Sequence, residues 1–178
     1  FDASRAVSKW LKRGVKISTG GFARVPIRQA AEQFEESTPV VALHMALGEP
    51  LHGHALLAMS LPHATRLADM VMGQPLGTCL EIGEIERSAL EETGNIISSA
   101  FMNSWANWLD MPIQPASPQF VVDLPSAVIE SVLAEQAQYS DEVFLARTDF
   151  IVGDRWAEWV FMLLPAPSSM RLIESSCQ

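Results

Sequence analysis

The sequence predicts an α+β fold built from a duplicated helix–strand unit. Its two pseudo-symmetric halves would place antiparallel strands in a shared sheet covered by long helices. Three observations lead to this prediction: a helical period of apolar residues over 84–109, strand-like segments on both sides of it, and partial recurrence of the first half in the second. The 178 residues fit one domain, 1–178, with repeats at about 1–73 and 78–178. A domain of this length can bury a core without disulfides.

The second half carries the strongest helical signal. Leu90, Ile97 and Phe101 lie on one face at helical spacing, which predicts a helix over 84–109 that ends before the prolines that follow it. The elements predicted next are a strand at 118–124, a helix at 125–137, strands at 143–152 and 156–164 around Gly153-Asp154, and a short helix at 168–174.

The first half is predicted from its likeness to the second. When it is shifted by 80 positions, 8–18 falls on 88–98 with four identities in eleven, so we expect a first helix at 4–24, broken near Arg24 by Pro26. Strand 40–47 follows Pro39 as strand 120–124 follows Pro118. The remaining predictions are a strand at 55–61, a helix at 63–72 that matches 168–174, and a hinge at 73–77.

Composition excludes several classes of function. The chain is 48% hydrophobic and 19% charged, which is typical of a globular protein, and its net charge of −9 argues against general nucleic-acid binding. No segment approaches the roughly 20 apolar residues of a membrane span, and no signal peptide is evident. Cys79 and Cys177 form no disulfide framework, which favours a cytoplasmic location. Because the chain starts at Phe1 rather than Met, a further hypothesis is that it is a domain of a larger signalling protein.

A polar stripe runs along the predicted helix 84–109. Ser88, Glu92, Asn95 and Ser99 are spaced by four, three and four residues and therefore share a face opposite the apolar stripe. Gly94 lies beside them, although a mid-helix glycine costs about 1 kcal/mol relative to alanine. From spacing alone, the stripe is either a solvated surface or a functional site, and Gly94 allows close packing.

A family resemblance favours the functional interpretation. Ser88-x3-Glu92-x2-Asn95, followed 22 residues later by Pro118, resembles the signature Asp/Ser-x3-Glu-x2-Asn-x22-Pro of the CheC/CheX/FliY family of chemotaxis phosphatases. The run 86–97 and the duplicated plan also resemble that family. Its members dephosphorylate the aspartyl phosphate of the response regulator CheY. The resemblance therefore implies a CheC-like phosphatase that acts on a phosphorylated CheY-like receiver.

The resemblance also implies roles for the motif residues. Asn95 would position the attacking water, and Glu92 would pair with a lysine of the receiver and orient the complex. Ser88 and Pro118 would support the site, Ser88 through a hydrogen bond to Glu92. An acyl phosphate is already activated, so no nucleophile of the chain is needed. The chain would hold no cofactor of its own, and Mg²⁺ would come from the receiver.

The first copy departs from the family pattern, because Lys12 and Val15 replace the Glu and Asn. We therefore expect one intact site, with Lys12 and Val15 on the matching face of helix 4–24. The alternative is a non-catalytic adaptor of the same fold that binds a receiver, a CheD-like deamidase or flagellar switch proteins. A homodimer stays open.

Other features are weaker candidates. Residues 1–28 hold seven basic side chains against one acidic, and they either neutralise their own domain or dock an acidic partner. His52 and His54 could share one side of a strand, but a metal site is not predicted because no third ligand is evident. His44 and His63 lack partners for nucleophilic catalysis. Trp105 and Trp108 are predicted to lie in the core or an interface.

Overall fold

The computed structural model describes residues 5, 8–9, 14–20, 23–135 and 141–176. In chain order the elements are β1 (Lys16–Thr19), β2 (Ala23–Pro26), α1 (Arg28–Ala31), β3 (Val40–Leu47), β4 (Gly53–Ser60), α2 (Leu61–Met72), α3 (Glu84–Leu109), β5 (Gln119–Asp123), α4 (Pro125–Ala134), β6 (Glu142–Val152), β7 (Arg155–Pro165) and α5 (Pro167–Ser176). Among the described residues, no helix combines the length and the apolar character that crossing a membrane requires.

The described strands form one antiparallel sheet of seven strands, which confirms the α+β fold class. Two hairpins, β3–β4 and β6–β7, meet in the middle through the pairing of β4 with β7. β5 pairs with the outer side of β3, while β1 and β2 pair with the outer side of β6. From one edge inward the strands are β5, β3 and β4, and from the other edge they are β1 and β2, then β6 and β7. Each side of the sheet therefore consists of a hairpin with short strands added to its outer strand. That the two halves superpose stays a prediction.

Helices cover both faces of the sheet. On one face α2 and α3 enclose a core that includes Leu43, Phe101 and Trp159. On the other face α1 and α4 pack over a second core that includes Ala42 and Val160. Because successive side chains of a strand point to opposite faces, β3 contributes Leu43 to the first core and Ala42 to the second. The sheet is therefore buried on both sides.

The elements predicted for the second half are confirmed, as are strand 40–47 and the helix after Pro62, although the helix predicted at 125–137 is described only to Ala134 and positions 136–137 lie outside the described residues. The prediction of one helix over 4–24 is wrong. Residues 16–19 and 23–26 of the predicted helix 4–24 are strands. Among the described residues of that span, only Arg5, Ser8 and Lys9 are helical. Ile17 is buried while Lys16 and Ser18 are exposed, an alternation that suits a strand on the edge of β6. Pro26 accordingly ends β2 rather than kinking a helix.

The correspondence between the two halves also needs correction. The sequence match paired strand 40–47 with strand 120–124, because each follows a proline. In the sheet, however, β3 forms a hairpin with β4 as β6 does with β7, so β3 and β6 hold equivalent positions. β5 is added to the outside of β3 as β2 is added to the outside of β6. Proline before a strand was therefore a misleading guide to equivalence.

The predicted hinge is the connection between α2 and α3, and a buried carboxylate fastens it. Asp69 is 2% exposed, and its side chain accepts hydrogen bonds from the backbone N–H groups of Gly77, Thr78 and Cys79 at 2.7, 3.1 and 2.8 Å. Gly73 ends α2 with φ 73°, a conformation that glycine adopts without steric cost. Hydrogen bonds from the backbone of the connection to the Asp69 side chain thus hold the connection against α2.

One basic residue of 1–28 contacts its own domain. The guanidinium of Arg24 bonds to the carboxylates of Glu142 and Glu174, the latter at 2.9 Å. These contacts favour neutralisation of the acidic body at Arg24 over docking of a partner there. Lys12 and Arg13 lie outside the described residues.

Candidate functional site

The site is carried by α3, which begins and ends at defined signals. At its N-terminus, the Glu86 carboxylate accepts a hydrogen bond from the Gly83 N–H at 3.1 Å, which satisfies one donor that the helix leaves open. At its C-terminus, Asp110 adopts the left-handed conformation with φ 53°, and Pro112 follows. The helix therefore has the bounds that the sequence predicted, 84–109.

Gly94 is the point where α3 comes closest to the sheet. A Cβ atom placed there would lie 1.8 Å from Cδ1 of Leu43 and 3.2 Å from the ring of Trp159. The apolar stripe around it, Leu90, Ile97 and Phe101, is buried. Gly94 therefore has the packing role considered from the sequence, and it fixes the height of its neighbour Asn95 above the sheet.

The polar stripe faces solvent, as predicted. Ser88, Glu92, Asn95 and Ser99 are all exposed. Within the described part of the chain, the Glu92 carboxylate and the Asn95 carboxamide make no hydrogen bond or ion pair, and Ser88 does not bond to Glu92. An open depression lies along the start of the stripe, lined by Glu84, Ile85, Ser88, Ala89 and Glu92. The two predicted catalytic side chains are thus free to contact another molecule.

Adjacent carboxylates on α3 differ in their surroundings. Glu91 accepts a hydrogen bond from Arg87 at 2.8 Å, and the Arg87 guanidinium also lies 4.9 Å from the centre of the Phe120 ring. Glu91 is therefore paired on its own helix, as a bystander would be, while Glu92 is not. Phe120 belongs to β5, which starts directly after the half-buried Pro118. This location suits a proline that shapes the loop before the strand.

Of the two first-copy counterparts, the structure describes Val15, and this residue does not lie on a helix. Lys12 lies outside the described residues, and Val15 precedes β1 instead of lying on a helix, contrary to the prediction. Val15 is 7% exposed within the core, and its backbone N–H and C=O both bond to the Ser8 hydroxyl. The expected role for Val15 on a degenerate helical site is therefore wrong.

A substitution at Val15 tests this correction. Val15→Asn, which would restore the motif residue, should destabilise the protein by about 1–3 kcal/mol, because it buries an amide in the apolar core. Urea unfolding measures the loss as a lower midpoint. Val15→Ile serves as the apolar control. A Val15→Asn protein as stable as wild type would show that the side chain is exposed.

The structure brings together a histidine pair that sequence reasoning missed. Nε2 of His44 and Nδ1 of His54 are 2.6 Å apart, both rings are nearly buried, and Glu135 lies 3.9 Å from Nδ1 of His44. The predicted pairing of His54 with His52 is wrong, because His52 precedes the strand and is exposed. The register of the hairpin is the signal that predicts this pair. His44 lies opposite Leu56, and His54 is the diagonal neighbour of His44 on the same face, two residues before Leu56.

His63 and the tryptophans have structural surroundings. Nδ1 of His63 accepts a hydrogen bond from the Glu158 N–H at 2.7 Å, and burial lowers the pKa of this histidine. Trp105 is 4% exposed and packs edge-on against Phe144, as predicted for a core residue. The side chain of Trp108 lies outside the described set. These contacts give no nucleophilic site.

Two chemotaxis proteins are among the sequence matches of this chain. No protein-family model matches the chain. It is 33% identical over 81 residues to CheC1 of Halobacterium salinarum, which is named as a candidate CheY-P phosphatase, and covers 42% of that protein. It is 25% identical over 112 residues to the CheY-P phosphatase CheC of Bacillus subtilis and covers 54% of it. The chain thus spans about half the length of the curated relatives it matches.

Solved structures show the same fold over almost the whole chain. FliY of Thermotoga maritima matches 97% of this chain and 87% of its own with a TM-score of 0.74 at 18% identity. The FliM middle domain of Vibrio alginolyticus covers 97% of this chain and 91% of its own, with a TM-score of 0.68 at 12% identity. A chain of the CheX–CheY–BeF3–Mg²⁺ complex of Borrelia burgdorferi covers 92% and 93%, with a TM-score of 0.53 at 16% identity. Sequence and fold together confirm the resemblance to the CheC/CheX/FliY family that the motif on α3 first indicated.

Proposed function

We propose that this chain is a CheC-like protein phosphatase that hydrolyses the aspartyl phosphate of a CheY-like response regulator in cytoplasmic chemotaxis signalling. One observation carries the proposal: Glu92 and Asn95 lie one turn apart on α3, exposed and without partners among the described residues. The names of the two sequence relatives agree with this activity. A single site, in the second half, would do the chemistry.

Asn95 would act on the attacking water. Its carboxamide can accept a hydrogen bond from water and donate one to the phosphoryl group, so it can hold the water in line with the phosphorus. Such positioning contributes several kcal/mol when the geometry is fixed. Here the close packing of Gly94 against Leu43 and Trp159 fixes the backbone of Asn95, although the Asn95 side chain itself lies in solvent.

Glu92 would orient the complex rather than react. A carboxylate that lacks a partner on its own chain can pair with a lysine of the receiver when the two proteins meet, and such pairs set register and encounter rate. Ser88 would line the contact one turn earlier. Pro118 would shape the loop before β5.

Mg²⁺ would be supplied by the receiver. In the described part of the chain, the group of side chains suited to a metal ion is His44, His54 and Glu135, and β3 carries His44 on the face opposite Leu43 and α3. The polar stripe thus offers Glu92 as a single carboxylate, and the metal chemistry would belong to the partner's acidic pocket.

The proposal is tested by loss of phosphate from receivers of the same cell. Each receiver is charged with acetyl phosphate, and the decay of its aspartyl phosphate is followed with and without the protein. Faster decay of at least one receiver supports a phosphatase. Unchanged decay of every charged receiver, with binding still detectable, supports the adaptor instead.

Glu92 variants separate docking from chemistry. Glu92→Ala should weaken receiver binding and turnover, and Glu92→Lys should be worse than alanine because it places like charges together. Glu91→Ala is the matched control, since Glu91 is already paired with Arg87, and it should leave both quantities nearly unchanged. Affinity by calorimetry and the dephosphorylation rate are the measurements. Equal losses at Glu91 and Glu92 would contradict the assigned role.

The second candidate function is an adaptor for flagellar switch proteins, a receiver or a CheD-like protein. It is favoured by the fold comparison, in which the TM-score to the FliM middle domain exceeds the score to the chain of the CheX complex. FliM has been solved in complex with FliG and with SpeE. An adaptor would bind its partner equally well with alanine at Asn95 and would accelerate nothing.

A further inference from the structure

We propose that His44, His54 and Glu135 form a binding site for a divalent transition-metal ion, with zinc as the best match. The three side chains offer ligand atoms that all lie within 4.8 Å of one another. His44 belongs to β3, His54 belongs to β4, and Glu135 directly follows α4. The proposal is independent of the phosphatase activity.

The donor set suits zinc. Two imidazoles and one carboxylate, with a solvent molecule in the fourth position, form a common zinc coordination sphere, whereas Mg²⁺ and Ca²⁺ prefer oxygen ligands throughout. Both imidazoles are nearly buried, so a bound ion would be largely shielded from water on the side of the sheet. Glu135 is 49% exposed, which leaves a path for solvent and the ion.

Without a metal, His44 meets the other two groups with different nitrogens, Nε2 toward His54 and Nδ1 toward Glu135. At 2.6 Å, the facing nitrogens of His44 and His54 share a hydrogen bond, and the rings stack at 4.8 Å between centroids. Two nitrogens on one tetrahedral zinc lie about 3.3 Å apart, since each Zn–N bond is about 2.0–2.1 Å. A small rotation of one ring would open the pair by that difference. Because Glu135 is half-exposed, its carboxylate can move toward the same ion.

The location gives the ion a structural consequence. His44 and His54 lie toward the turn end of the β3–β4 hairpin, and the backbone N–H of Glu135 donates to the carbonyl oxygens of Val132 and Leu133 at the end of α4. A bound ion would therefore tie the end of α4 to the sheet. This contact is on the reverse side of β3 from Leu43 and the helix that carries Glu92.

Metal titration of the purified chain tests the site. After treatment with a chelator and dialysis, the protein is titrated with Zn²⁺, and with Co²⁺ as a visible probe of tetrahedral coordination. We expect a single Zn²⁺ per chain, no comparable binding of Mg²⁺, and a rise in the unfolding midpoint on adding Zn²⁺. No Zn²⁺ retained by the wild-type chain would overturn the proposal and leave a hydrogen-bonded pair of neutral imidazoles.

Variants identify the ligands. Glu135→Gln should weaken the affinity for Zn²⁺ by about tenfold or more, and because its side chain is half-exposed the protein should still fold. His44→Ala and His54→Ala should abolish binding. His52→Ala removes a nearby exposed imidazole outside the cluster and should bind as wild type does. Zn²⁺ affinity that falls with His52→Ala, or that stays unchanged with Glu135→Gln, would refute this ligand set.

Discussion

Asn95→Ala should return a charged receiver to its own rate of dephosphorylation, while the affinity for that receiver stays nearly unchanged. The reason is that the carboxamide acts on the water, whereas docking would depend on Glu92 and the surface around it. Loss of a group that positions a reactant lowers the rate by about a hundredfold or more. The measurements are single-turnover decay of the aspartyl phosphate and, separately, binding to a receiver held in its phosphorylated form by a phosphate analogue.

Two properties of the site make this variant informative. Asn95 is exposed and makes no hydrogen bond within the described residues, so alanine should leave the fold intact and improve helix propensity by up to about 0.7 kcal/mol. Ser99→Ala, one turn along the same stripe, is the matched control and should keep its activity. If wild type and Asn95→Ala accelerated the decay of the aspartyl phosphate equally, the phosphatase proposal would be refuted and the adaptor function would remain.

Sequence reasoning located the site helix but misjudged the first half, and the reason is physical. Over 84–109 the helix is long enough for its periodicity to decide the structure alone. Residues 16–19 and 23–26 are short segments whose conformation depends on the open edge of β6, a partner more than 100 positions away along the chain. Four identities in eleven could not reveal that pairing, and they transferred a helix to residues that form strands.

The same limit applies to the histidines. The exposure of Glu92 and Asn95 followed from their spacing, because a helix fixes which residues share a face. His44 and His54 meet only because two strands pair in one register, and Glu135 joins them through the packing of α4 on the same face. Register and helix docking are tertiary properties, so the sequence alone suggested the neighbouring His52 instead.

Gly94→Ala should destabilise the protein by about 1–3 kcal/mol, although alanine is the better helix former by about 1 kcal/mol. The added methyl group would meet Cδ1 of Leu43 and the ring of Trp159, and both side chains are almost fully buried. Gly94→Leu would need far more space at the same point, and we expect it to abolish cooperative folding. Urea unfolding with an unchanged slope would report the alanine variant as a lower midpoint.

The neighbouring residue supplies the control, because the same substitution at Asn95 should raise stability slightly rather than lower it. A double variant, Gly94→Ala with Leu43→Ala, should lose less stability than the sum of the single changes, since truncating Leu43 makes room for the new methyl group. If Gly94→Ala stabilised the protein as Asn95→Ala should, the close approach of α3 to the sheet would be disproved. The packing of Gly94 against the sheet would then no longer explain how Asn95 is held for its proposed contact with water.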